Sequence, residues 1–253
     1  MDLSAFTSGP IAHRCLHDIG AGRPENSWEA LDAALTKGLA VEVDIQLSAD
    51  GQAMVFHDPI LDRLTQKTGF VDHHSADALS QISLTGGVKG IPPLKEFLDY
   101  IDGRIPVLIE IKDQSGDLGD AESGIEKAVC EVLEGHESIV ALMSFNPHII
   151  ARCKELSPDV PRGLVTDPFS SADWPNVPQG RRAALALIGD YERLDASFIS
   201  HNVADLSSPA VQRIKDLGGA VFCWTVKSQQ QEDQARKIAD SVTFEGYFPS
   251  GVP

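Results

Sequence analysis

The sequence has no run approaching the roughly 18 to 20 apolar residues that a membrane-spanning helix needs, so no membrane span is expected. Its start, MDLSAFTSGP, lacks a basic segment followed by an apolar stretch and does not read as a secretory leader. Cysteines are few, at positions 15, 130, 153 and 223, with no CxxC pair, and no group of His and Cys has zinc-like spacing. In a chain of this size without a leader they are expected to be free thiols. There is no low-complexity linker and no strong internal repeat. Positive charge is scarce: 21 Lys and Arg stand against 37 Asp and Glu, a net charge of −16. Such a chain is a poor general binder of nucleic acid or anionic membranes. An anion can still be held where a metal or local basic groups invert the field. The expectation is a soluble, cytoplasmic protein with no nucleic-acid partner.

What is present is an alternation of strand-like and helix-like segments. Strand candidates fall at 11–14, 40–47, 53–58, 105–112, 138–144, 160–166, 196–200, 220–226 and 241–244. Between them lie amphipathic helical stretches such as PLKEFLDYI (93–101). Asn26 can cap a helix, with Glu29 three residues on and Gly38 after its end. Asn146-Pro147 and Ser208-Pro209 each place a cap before a proline at the first helical position. This pattern argues for a parallel sheet covered by helices. At 253 residues, one α/β barrel domain accounts for the whole chain. Nine strand candidates exceed the eight of a closed (β/α)8 barrel by one, and the terminal segment 241–244 is the expected surplus. Residues 59–104, with Gly86-Gly87 and one clear helix, are the candidate insertion or lid. Between Leu47 and Ala53 no helix fits, and Asp50-Gly51 signals a hairpin. A two-residue turn there would set Asp44 opposite His57; a parallel barrel would need an extended return instead, so the barrel is expected to be irregular around its second and third strands.

Four strand segments carry charge where strands usually carry apolar groups. In AVEVDIQL, Val41, Val43, Ile45 and Leu47 share one face and Glu42, Asp44 and Gln46 the other. His13-Arg14 and His57-Asp58 end two further segments, and in LIEIK Glu110 and Lys112 share a face. Barrel enzymes build their sites at the C-terminal ends of their strands. An unpaired buried carboxylate costs about several kcal/mol, so three of them need a positive partner. A hard divalent cation on Glu42, Asp44 and Glu110 supplies one. His13 and His57 suggest an acid and a base, and Arg14 and Lys112 are the donors a phosphate wants. The set describes a site for cleaving a phosphate ester. Glu25 reads as a helix N-terminal charge, Asn26 as a cap, and His17, His73 and His74 as surface loop residues.

In order and spacing these residues resemble the glycerophosphodiester phosphodiesterases, distant relatives of phosphatidylinositol-specific phospholipase C. The family's His-Arg-Gly reads here as His13-Arg14-Cys15, its Pro-Glu-Asn-Thr as Pro24-Glu25-Asn26-Ser27, and its Glu-x-Asp as Glu42-Val43-Asp44. His57-Asp58, Glu110-Ile111-Lys112 and Trp224-Thr225-Val226 follow. The resemblance implies a TIM-type barrel and one Ca²⁺ or Mg²⁺ on Glu42, Asp44 and Glu110. It implies His13 and His57 as the acid/base pair, Arg14 and Lys112 on the phosphate, and Trp224 walling the glycerol or alcohol pocket. The implied substrate is a glycerophosphodiester, cleaved to an alcohol and glycerol 3-phosphate, either by water or through a cyclic phosphate. Two departures stand out: Cys15 replaces a glycine, and FEGYFP replaces the closing Thr-Asp-x-Pro, leaving Glu245 near the position of the Asp. A non-catalytic metal- and phosphate-binding protein is the competing expectation. An amidohydrolase would want a His-x-His pair that His13-Arg14-Cys15 lacks.

Overall fold

In the computed structural model, which describes residues 1–252, the two faces of the Ala40–Leu47 strand meet different neighbours, and the barrel follows from that difference. Val41, Val43 and Ile45 pack outward into a large apolar layer shared with the helices, while Ala40 belongs to the inner cluster that fills the barrel. Glu42 and Asp44, on the inner parity, are buried at 1% exposure each, so this is no solvent-washed face.

Nine strands form among the described residues: β1 (Ile11–Ala12), β2 (Ala40–Leu47), β3 (Ala53–Val55), β4 (Val107–Ile111), β5 (Val140–Ser144), β6 (Arg162–Thr166), β7 (Phe198–Asn202), β8 (Ala220–Val226) and β9 (Ser241–Phe244). Eight run parallel in the order β1-β2-β4-β5-β6-β7-β8-β9, and β1 pairs with both β2 and β9, closing the ring. The fold is a TIM-type (β/α)8 barrel. The strand outside the ring is β3, antiparallel to β2, and not the terminal segment, which pairs with β1 and β8. The hairpin differs from the two-residue turn as well. Ala49, Asp50 and Gly51 form a three-residue loop closed by Ser48 N–H to Gln52 O at 2.9 Å, with Gly51 at φ 75°. That shifts the register by one, so the Phe56 N–H, not His57, meets the Asp44 carbonyl. Glycine supplies the left-handed backbone such a turn requires.

The lumen is layered. Its lower part is apolar: Phe6, from the short N-terminal helix Ser4–Thr7, packs with Ile11, Leu108, Ala141, Phe198 and Phe222. Gly163 makes room there, because a Cβ would sit 2.5 Å from the Phe198 ring. The upper part, toward the C-terminal strand ends, is polar, with Asp44 directly beside Glu110 in register. After β3 the chain makes a side arm, with a small core of Met54, Phe56, Leu61, Val71, Leu79, Leu84 and Ile91. It rejoins the barrel at helix Leu94–Ile101, whose Leu94, Phe97, Leu98 and Ile101 are buried.

Local signals at the helix starts are borne out at two places and displaced at a third. Asn146 and Ser208 cap the helices that begin at Pro147 and Pro209. In helix Trp28–Lys37 the cap is Ser27, whose Oγ accepts from Ala30 N–H at 3.0 Å. Glu29 closes no capping box; its Oε1 takes the Val88 and Lys89 N–H groups instead. Asn26 is thereby free to turn into the barrel, at φ 56°. No helix among the described residues is long and apolar enough to cross a membrane. All four cysteines are buried free thiols.

Candidate active site

The residues singled out by charge on buried strands converge on one cavity at the C-terminal end of the barrel. It measures about 90 Å³, and its lining includes His13, Arg14, Glu42, His57, Glu110, Lys112 and Trp224. Asp44, level with Glu110 on the neighbouring strand, is covered by the Lys112 ammonium and the Asn26 amide. A second cavity, of about 310 Å³, adjoins it and shares His57, Glu110, Lys112 and Phe145.

Three carboxylates form the base. Glu42, Asp44 and Glu110 each offer an oxygen within 4.8 Å of the others. Asp44 Oδ1 receives Lys112 Nζ at 2.6 Å, and its Oδ2 receives Asn26 Nδ2 at 2.9 Å. Lys112 also reaches Glu110 Oε1 at 2.5 Å. Glu42 Oε2 takes the backbone N–H of Arg14 at 3.0 Å, while Glu42 Oε1 is buried with no hydrogen-bond partner among the described residues. Such an orphan is costly. Burial first, then the neighbouring Asp44 and Glu110 charges, push the Glu42 carboxyl well above the usual range. Burial pushes Asp44 the same way, but Lys112, His57 and Arg14 outweigh it and hold that group low. Burial would lower Lys112, yet Asp44 and Glu110 raise it above an ordinary lysine. The trio thus holds more negative charge than its basic neighbours balance, and the excess falls on Glu42. An all-oxygen donor set with one oxygen unpaired fits a hard divalent cation better than zinc, which prefers nitrogen and sulfur.

The two imidazoles are held alike. His13 follows β1, and its Nδ1 lies 2.6 Å from Glu245 Oε2. His57 follows β3, and its Nδ1 lies 2.6 Å from Asp58 Oδ1. A carboxylate partner calls for Nδ1–H, which leaves Nε2 as the exchanging atom of each ring. His13 Nε2 stands 3.9 Å from Glu42 Oε2. Burial lowers the His13 pKa, with the Glu245 hydrogen bond opposing. Glu245 is held well below the usual carboxylate range, first by the His13 hydrogen bond and then by His17. Lys227 lies 2.8 Å from its other oxygen. His17 is therefore no loose surface residue: its Nε2 is 3.6 Å from Glu245.

Behind His57 runs a second chain of charge. Arg63 donates to both oxygens of Asp58 at 2.7 Å and to both of Glu25 at 2.9 Å. Glu25 in turn receives Arg14 Nη1 at 2.7 Å. Glu25 is thus no mere helix-end charge. Arg14 also approaches Asp44, at 3.4 Å through Nε. On the far side, Trp224 meets Phe145 edge-on with centroids 5.5 Å apart, and its indole N–H donates to Ser200 O. Cys15, where the resembled family has glycine, adopts φ 66°, and Arg14 before it φ 49°. This left-handed backbone, which glycine adopts most readily, is held here by a residue with a buried thiol. Sequence reasoning read Asn26 only as a cap, where its amide in fact holds Asp44, and passed over Arg63 and Phe145. Asn26 carried one signal, since asparagine tolerates φ > 0 better than most residues; the others show none in the local pattern.

Known proteins resemble this chain in sequence and in fold. The model of the glycerophosphoryl diester phosphodiesterase family matches residues 17–243, and His13 and Arg14 precede the matched span. A glycerophosphodiester phosphodiesterase of Caldanaerobacter subterraneus subsp. tengcongensis is 28% identical over 92% of this chain and 90% of its own. Among solved structures, an Oleispira antarctica phosphodiesterase in complex with the product sn-glycerol-3-phosphate superposes with a TM-score of 0.76 at 25% identity, covering 93% of this chain and 92% of that one. A Thermotoga maritima glycerophosphodiester phosphodiesterase shares the fold, with a TM-score of 0.70 at 20% identity over 93% and 94% of the two chains. A family match over most of the length, on a closed barrel whose charged residues meet in one cavity, places the chain in the glycerophosphoryl diester phosphodiesterase family.

Proposed function

We propose that the protein hydrolyses glycerophosphodiesters to an alcohol and glycerol 3-phosphate, with one Ca²⁺ or Mg²⁺ on Glu42, Asp44 and Glu110 and with His13 and His57 as the acid/base pair. The observation that carries this reading is the shared cavity: two imidazoles, each backed at Nδ1 by a carboxylate, beside three clustered carboxylates of which one oxygen is unpaired. A divalent ion bound there would polarise a phosphoryl oxygen. The rest falls to the chain's own groups. One imidazole takes the proton of the attacking hydroxyl and the other returns a proton to the departing alcohol oxygen; where water attacks, glycerol 3-phosphate forms at once, and where the substrate's own glycerol hydroxyl attacks, a cyclic phosphate forms that water then opens with the two imidazoles in exchanged roles. Each transfer is typically worth about 10²–10⁴ in rate. Arg14, whose buried Nε–H makes no hydrogen bond, and Lys112 orient the phosphate. Trp224 and Phe145 shield the glycerol side from water. We read the chain as one domain in which part of 59–104 borders the site through Pro59 and Arg63. Free buried cysteines fit a reducing, cytoplasmic setting.

The test uses purified protein and a panel of glycerophosphodiesters, with released glycerol 3-phosphate as readout. Turnover is expected to vanish in chelator and return with Ca²⁺ or Mg²⁺. Calorimetric titration of the metal alone is expected to show one site in the wild type and none in Glu42→Gln. Full turnover in chelator removes the metal from the scheme. Metal and glycerol 3-phosphate binding without turnover of any diester would instead make this a binding protein.

A further inference from the structure

His13 approaches Glu42 through Nε2, and at its other ring nitrogen a second group of donors meets. His13, His17 and Glu245 each offer one ligand atom, and the three atoms lie within 4.8 Å of one another. Glu245 Oε2 is 2.6 Å from His13 Nδ1 and 3.6 Å from His17 Nε2. That His17 nitrogen is buried and has no hydrogen-bond partner among the described residues, a costly arrangement for a polar atom. Arg14 and Cys15, both at positive φ, turn the chain after β1, and His17 N–H closes on Cys15 O at 2.9 Å. Glu245 comes from the other end of the chain, 232 residues from His13, so the set has no signature in local spacing. Its backbone N–H is fixed on Val226 O at 3.0 Å. Lys227 occupies its Oε1 at 2.8 Å, which leaves Oε2 to the two imidazoles. A cavity of about 560 Å³, lined by His17 and Glu245 among others, leads to the group from outside. It shares no lining residue with the cavity that holds Glu42, Glu110 and His57.

We infer that His13, His17 and Glu245 form a second metal site, for a transition-metal ion of the Zn²⁺ class, and that filling it disables the His13 imidazole; the second half rests on the phosphodiesterase reading above. Two imidazole nitrogens and one carboxylate oxygen suit Zn²⁺, whereas Ca²⁺ and Mg²⁺ take oxygen donors. The two sites would therefore sort ions by donor type. Bonds of about 2.0–2.1 Å at tetrahedral angles set neighbouring donors about 3.3–3.4 Å apart. The His17–Glu245 pair already stands near that spacing, and the His13–Glu245 pair must open by about 0.8 Å. Water from the outer cavity fills the fourth position. A metal on Nδ1 confines the single proton of the neutral His13 ring to Nε2. That nitrogen then has no lone pair with which to take a proton from an attacking hydroxyl. Glu245, spent on the ion, no longer supports a protonated ring.

The test titrates Zn²⁺ calorimetrically into the protein saturated with Mg²⁺. One Zn²⁺ is expected to bind per chain, and also in Glu42→Gln, whose carboxylate trio is broken. His17→Ala is expected to weaken Zn²⁺ by more than the tenfold to hundredfold that loss of an outer-shell partner costs, with its Mg²⁺ isotherm unchanged as the check on folding. Glu245→Gln is expected to weaken Zn²⁺ likewise. In the turnover assay, Zn²⁺ is expected to inhibit in a way that added Mg²⁺ does not relieve. The inhibiting concentration is expected to rise in His17→Ala by the same factor as the dissociation constant. Zn²⁺ affinity unchanged in His17→Ala, or lost in Glu42→Gln, overturns the second site. Zn²⁺ bound there with turnover undiminished overturns the inhibition. If no diester is turned over at all, the phosphodiesterase reading falls, and the calorimetry still decides whether the site exists.

Discussion

Arg63 touches neither the carboxylate trio nor the imidazoles, yet two of the site's supports end on it. Its guanidinium makes four charge-assisted hydrogen bonds, two to Asp58 and two to Glu25. Those acids hold His57 and Arg14. Arg63→Ala removes all four bonds. The Arg63 side chain is 46% exposed, so each ion pair by itself is worth only about 0.2–1 kcal/mol. The carboxylates, however, are only 15% and 14% exposed and lose part of their compensation. The expected loss of stability is about 2 kcal/mol at pH 7, seen as a lower midpoint in urea unfolding with unchanged slope. Burial raises both acids, but bonds to His57 and Arg63 for Asp58, and to Arg63 and Arg14 for Glu25, bring them below their reference values of 3.8 and 4.5. Groups with depressed folded pKa values contribute stability that is present above the unfolded pKa and lost as pH falls through the folded one. The gap between wild type and variant should be flat from pH 8 to pH 5 and shrink below about pH 4.5. With His57 and Arg14 less firmly placed, kcat/KM should fall by about tenfold. Unchanged turnover, or a stability gap that widens in acid, would refute the positioning argument.

His13→Ala and His57→Ala should each lower turnover by about 10²–10⁴ while circular dichroism and the unfolding midpoint stay near wild type; near-normal rates in either variant would sink the acid/base assignment. Glu245→Gln keeps the size of the side chain but takes the charge from behind His13, so kcat should fall by about tenfold or more with KM little changed. Glu245→Asp, which keeps the charge, should recover part of that loss, and equal rates in the two variants would mean the carboxylate only fills space.

The legible part of this molecule is the part that breaks a rule. Glu42 and Asp44 interrupt an apolar strand, and Glu110 and Lys112 another, so a pocket could be inferred before any coordinates. The barrel was legible because helix and strand periods alternate and because Asn146-Pro147 and Ser208-Pro209 punctuate them. What local pattern could not carry was pairing over distance. Whether β3 or β9 stands outside the ring depends on which strand meets β1, a contact across more than two hundred residues. The Asn26 amide on Asp44 and the Arg63 clamp on Glu25 are likewise fixed by tertiary placement alone. The cap moved one residue, from Asn26 to Ser27, since both side chains suit that role and only the fold decides which is spent on it.

Because β3 lies outside the ring, the two imidazoles ride on parts of unequal firmness. His13 extends a short strand paired into the ring on both sides, whereas His57 follows a strand paired with β2 on one side and met on the other only at Pro92 and Pro93. Edges of this kind open at lower free energy than closed sheets. Warming should then silence the enzyme by fraying its hairpin while the barrel itself stays intact, and the inactivation temperature should fall below the melting temperature.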